Sequence, residues 1–147
     1  MSVSAAIDFG FYSDRVRITP LVLLNILMTN GWMVLDGEYK CYLPLGDVDN
    51  FDWQRSKIIN DKELIEICER KFYNKEIVGL VVTWKDTNIG GELLFFLDGR
   101  VSFLLTINRI ENAATKLTDF QWYLEKIIPA FLNNDIYIES IECSHMI

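Results

Sequence analysis

The segment IVGLVVTW at 77–84, followed by KDTNIGG (85–91), then LLFFL (93–97), DG (98–99) and VSFLLTI (101–107), decides the fold. Ile77 to Trp84 is β-branched and apolar almost without alternation, the pattern of a central strand covered on both faces. Asp98-Gly99 sits between two β-prone runs and signals a tight hairpin, because both residues tolerate positive φ. Lys85 to Gly91 is a longer connection, with Gly90-Gly91 read as part of a wide hairpin turn. Three strands joined in this way predict an antiparallel meander.

Working outward, helices and further strands flank the meander. Asn60 opens a helix with Glu63 at the capping-box position, and Leu64, Ile67, Cys68 and Phe72 form its apolar stripe. Arg70, Lys71 and Lys75 near its end suit the helix dipole. Upstream, Thr19-Pro20 opens a thoroughly apolar helix that Asn30-Gly31 ends. Asp36-Gly37 between Trp32–Leu35 and Tyr39–Leu43 signals a second hairpin, and Ala5–Tyr12 alternates as a first strand. Downstream, Thr118 is read as the cap of a third helix that Pro129 must kink or end early, and Ile136–Cys143 as a last strand. Runs of consecutive strands with tight turns predict α+β: a single domain over 1–147, with a mainly antiparallel sheet of about five to six strands packed with three helices.

The chain has 147 residues, half of them hydrophobic, with nine Phe, six Tyr and four Trp, so a sizeable core is expected. Trp84, Trp122, Phe95 and Phe103 lie in periodic elements and are assigned to that core. The net charge of −7 disfavours nucleic acid and anionic membranes as partners. The longest apolar run, Leu21–Met28, is too short to span a membrane, and Met1–Asp14 lacks the basic start of a signal peptide, so the expected compartment is the cytoplasm. Cys41, Cys68 and Cys143 show no paired spacing and are expected to be buried free thiols.

Catalytic patterns are missing from the sequence. The one histidine, His145, stands near the C-terminus, where fraying is expected, and Ser-His or Cys-His pairs have no other imidazole to use. There is no Cys-x-x-Cys spacing, nucleophile elbow, phosphate loop or dinucleotide fingerprint. Asp47, Asp49 and Asp52 do not follow the EF-hand spacing. The expectation is therefore a protein with no enzymatic activity, no metal and no cofactor.

The charge is unevenly placed. Asp36, Glu38, Asp47, Asp49 and Asp52 face only Lys40 between Asp36 and Trp53, and no Lys or Arg follows Lys126. Such regions can simply keep a protein soluble. In Asp49-Asn50-Phe51-Asp52-Trp53, however, acids alternate with aromatics, the combination of steering charge and anchoring ring that protein interfaces use. Phe51 and Trp53 either fill a partner's pocket or fold back on the core. The candidate partner-binding set is Asp36, Glu38, Asp47, Asp49, Phe51, Asp52 and Trp53.

In size, acidity, free thiols, aromatic α+β core and acidic loops, the chain resembles bacterial immunity proteins, which neutralise the toxins of contact-dependent growth inhibition and other polymorphic systems. The resemblance implies a cytoplasmic toxin inhibitor in a one-to-one complex with a cognate protein toxin, often a basic nuclease, whose active site or substrate surface it covers. Two other readings stand beside it: a small-ligand-binding or enzymatic domain with an apolar pocket, and a secretion chaperone or adaptor, a class that usually dimerises.

Overall fold

The computed structural model describes residues 2–147. Eight strands and three helices follow the order β1 (Ser4–Tyr12), α1 (Pro20–Thr29), β2 (Trp32–Met33), β3 (Lys40–Tyr42), β4 (Gln54–Ser56), α2 (Asp61–Tyr73), β5 (Val78–Trp84), β6 (Gly90–Phe95), β7 (Val101–Ile107), α3 (Phe120–Leu132) and β8 (Tyr137–Met146). The α+β class and the three helices are as expected. The sheet has eight strands where five to six were expected, in the order β4-β3-β5-β6-β7-β1-β8, with β2 also pairing β5.

The meander is the centre of the sheet. β5 pairs β6 from Val78↔Phe95 to Thr83↔Gly90, and β6 pairs β7, with the hairpin closed by Phe96 and Arg100 around Gly99 at φ 91°. Alternation divides the faces. Val78, Leu80, Val82, Leu93, Phe95, Val101 and Phe103 meet the helices, joined by Ile7 and Phe9 of β1 and by Leu23, Leu27, Leu64, Tyr123, Ile127 and Phe131. Full burial of each such side chain contributes roughly 2 kcal/mol. Trp32 packs edge-on against Trp84 and Phe103, at 5.3 and 5.5 Å between ring centroids. Phe95 and Phe103 are buried in this core, and Trp84 and Trp122 lie half-buried against it. On the opposite face Leu43 and Leu94 meet over Gly79, and Val81 is buried on the same side, outside that core.

Four sequence expectations change in detail. Gly90 and Gly91 belong to β6, where a Cβ would overlap the carbonyl oxygens of Val82 and Leu104; the close approach of neighbouring strands requires glycine there. The Asp36 turn closes only between Asp36 and Tyr39, and its two arms do not pair with each other. Trp32–Met33 and Tyr42 instead lie in line along β5, so the turn loops out from one interrupted edge strand, with the Thr83 hydroxyl donating to the Leu35 carbonyl at 2.7 Å. Asp119, not Thr118, caps α3, accepting from the Trp122 N–H, and α3 runs three residues past Pro129. Finally, Cys41 and Cys68 are buried thiols but Cys143 is exposed.

Candidate functional site

The loop between β3 and β4 is built around a lysine. Leu64, Cys68 and Lys71 recur at i, i+4 and i+7 on α2, so the buried stripe of the helix carries Lys71 into the interior. Lys71 is fully buried, not dipole-stabilised at the surface. Its Nζ donates to the carbonyl oxygens of Pro44 and Asp47, both at 2.7 Å, and to Glu76 Oε1 at 3.0 Å, so all three ammonium hydrogens have partners. Glu76 Oε1 also accepts the Gly46 N–H at 2.8 Å. Burial alone would raise the Glu76 carboxyl, but the Lys71 hydrogen bond, the Gly46 N–H, the Lys71 charge and an Asn74 hydrogen bond outweigh it and hold the group below its ordinary value.

Asp47 extends this network into the loop. Its Oδ1 accepts the N–H groups of Asn50 and Phe51 at 2.8 and 3.2 Å, and its Oδ2 accepts that of Asp52 at 2.7 Å. The Asp52 N–H is the largest influence on this carboxyl; burial opposes it, while the Asn50 and Phe51 N–H groups and the Lys71 charge add to it, and the net effect is a lowered pKa. Phe51 is held at φ 53°, a left-handed conformation that costs a non-glycine residue roughly 1 kcal/mol.

The residues nominated by the sequence therefore divide. Asp47 is 6% exposed and committed to its own loop, so it is scaffold, not surface. Asp49, Phe51 and Asp52 are exposed, Phe51 by 41%, beside exposed Leu45 and Val48. Trp53 is half-buried. Asp36 and Glu38 lie at the other end of the β3–β4 pair, beyond the Lys40↔Ser56 register. Glu38 pairs with Lys57 at 3.3 Å, and Arg55 and Lys57 stand over the Tyr39 ring at 4.0 and 5.1 Å. That end of the hairpin is mixed in charge, and the uncompensated acids are those of residues 48–52. Lys71 and Glu76 were missed by the sequence reading; a lysine on the apolar stripe of α2 was the available signal.

His145 lies within β8. Its Nδ1 lies 3.1 Å from the Thr118 N–H and 2.8 Å from Thr118 Oγ1, which joins β8 to the start of α3. Among the described residues no group of three or more His, Cys, Asp or Glu side chains is placed to hold a metal ion, and no helix is long and apolar enough to cross a membrane. The void between the sheet and the helices is about 20 Å³, the size of a single water, and is lined only by apolar side chains. It has the dimensions of a packing gap. In comparisons with protein families, with curated proteins and with solved structures, nothing matches this chain.

Proposed function

We propose that this protein is an immunity-type inhibitor that binds a cognate basic toxin domain, with a nuclease as the toxin, and covers its active site or substrate surface. The observation that carries this reading is the anchoring of the β3–β4 loop by the buried Lys71 ammonium. An eleven-residue connection without such an anchor would lose conformational entropy on binding. Here the backbone at Gly46, Asp47, Asn50, Phe51 and Asp52 is already hydrogen-bonded, and the loop presents Leu45, Val48 and Phe51 beside Asp49 and Asp52. Apolar anchors ringed by acids suit a basic protein surface: the acids speed the encounter and the ring fills a pocket. Acids placed where phosphates would lie also suit an inhibitor that blocks a nucleic-acid site.

The test begins with capture of the partner from a lysate of the source cells on the tagged protein, followed by assay of its toxicity with and without this chain. A stoichiometric, basic partner whose activity the chain abolishes is the expected result. Asp49→Lys with Asp52→Lys then slows association by about tenfold at low salt, and Phe51→Ala weakens the complex by more than about 1 kcal/mol. Asp47 stays unchanged in these variants, because reversing it would unmake the loop. A partner bound equally well by the charge-reversed and Phe51→Ala proteins sinks the loop assignment. A partner whose activity persists in the complex sinks the inhibitor reading.

A further inference from the structure

A separate cleft opens at the end of the sheet where the β6–β7 turn, the start of α1 and the end of α2 converge. Its volume is about 430 Å³, within the range of small-molecule sites. The floor is apolar, formed by Leu23, Phe72 and Phe95, and the exposed side chains of Tyr73 and Leu97 stand at its mouth. Three cations line it: Arg17, Lys75 and Arg100. Among the described residues none of the three makes an ion pair, although the chain carries 21 acids against 14 Lys and Arg. The Arg100 guanidinium lies 4.3 Å from the centre of the Phe96 ring, and its N–H groups donate to no side chain or carbonyl among the described residues. Glu76 also lines the cleft, but its Oε1 is occupied by Lys71 Nζ and the Gly46 N–H. The α1 terminus offers little by way of direct contact: Pro20 has no N–H, and Thr19 Oγ1 already accepts from the Val22 N–H. An anion here would be held by side chains.

From this convergence of unpaired cations on an apolar floor, we infer that the cleft binds a small organic anion, a carboxylate carried on a ring-sized or short acyl body. The carboxylate meets the two guanidinium groups in bidentate fashion, with Lys75 as a point charge beside them, and the apolar body lies on Leu23, Phe72 and Phe95. The inference does not rest on the loop reading, although Glu76 both borders the cleft and holds the loop. Cleft variants leave the loop contacts untouched, and loop variants leave the cleft.

The measurement is an amide-resolved NMR titration of the full chain with 2-naphthoate and with octanoate. Neutral 2-naphthamide and inorganic phosphate are the comparators: one lacks the charge and the other lacks the apolar body. The expected result is saturable shifts at residues 17–23, 72–76 and 95–101 with at least one of the two carboxylates. Binding of the amide and of phosphate should be weaker by about tenfold or more. The Arg17→Gln, Arg100→Gln double variant, whose changes lie at exposed positions and whose folding the same spectra report, should lose a similar factor. Equal binding of the amide, equal binding by the folded double variant, shifts elsewhere in the chain, or no saturable shift with either carboxylate overturns the inference.

Discussion

Lys71 shows how one side chain can organise a surface. Removing it would leave the Glu76 carboxylate and two loop carbonyls without their buried donor. Lys71→Met is expected to destabilise the fold by about 3 kcal/mol in a urea titration, well beyond the loss of any solvent-exposed ion pair. The same network carries a pH signature. The Asp47 and Glu76 carboxyls are both lowered, so between their folded and unfolded values the native state binds fewer protons than the unfolded chain. Their contribution is complete above about pH 5 and is lost as the pH falls through about 4 and below. The amide shifts of Asn50, Phe51 and Asp52 should titrate together in that range; amides that stay still while the protein acidifies would place the loop's support elsewhere. At this scale the sequence shows charge and spacing, and neither reveals what an acid is bonded to. Asp47 counted among five acids, and nothing in its spacing distinguishes an acid that binds its own backbone from one that faces solvent. Lys71 was legible in principle, since its position on the stripe of Leu64 and Cys68 contradicts a solvated role.

Among the elements, the β5–β6–β7 meander and the caps of α1 and α2 were readable because local chemistry specifies them: turn dipeptides, β-branched runs, and Thr19 and Asn60 at helix starts. β4 was not readable. Gln54-Arg55-Ser56 has no apolar alternation, and it is a strand only because its pairing with β3 satisfies its backbone. The division of the Asp36 hairpin between two stretches of β5 is likewise a tertiary decision, invisible to a dipeptide signal. Strand position also sets the chemistry of Glu92. Opposite Val81 and Leu104, it points to the sheet face away from the helices, and burial raises its carboxyl above the ordinary value. The native state therefore holds this proton more tightly than the unfolded chain, the reverse of Asp47 and Glu76. The ionised group costs stability once the pH rises above its unfolded value of about 4.3. Glu92→Gln is expected to stabilise the protein at pH 7, by less than about 1 kcal/mol because the side chain is only partly buried, and the gain should vanish below about pH 4. A gain that is the same at both pH values would point to packing instead of charge.

Across the whole molecule, the sheet ends in two very different edges. β4 is three residues long, while β8 is a ten-residue strand, mostly exposed and paired on one side only, with β1. A long open edge invites pairing with another chain. Charge opposes that here: β8 carries Glu139 and Glu142 without a single Lys or Arg, on a molecule of net charge −7. Self-pairing centred between Ser140 and Ile141 would set Glu139 of each copy against Glu142 of the other, two like-charge contacts by symmetry. Sedimentation in the presence of reductant, which keeps the exposed Cys143 thiol from cross-linking, should therefore find the 17.1 kDa monomer. Glu139→Lys turns both contacts attractive, each worth up to about 1 kcal/mol, and should strengthen self-association by roughly tenfold or more. A dimer in the unmodified protein would show that the edge acids do not guard β8, and would favour an adaptor or chaperone that works as a pair. A monomer that Glu139→Lys drives together leaves β8 as an acidic edge closed to its own copies and open to a basic strand, in keeping with an inhibitor that binds one partner at a time.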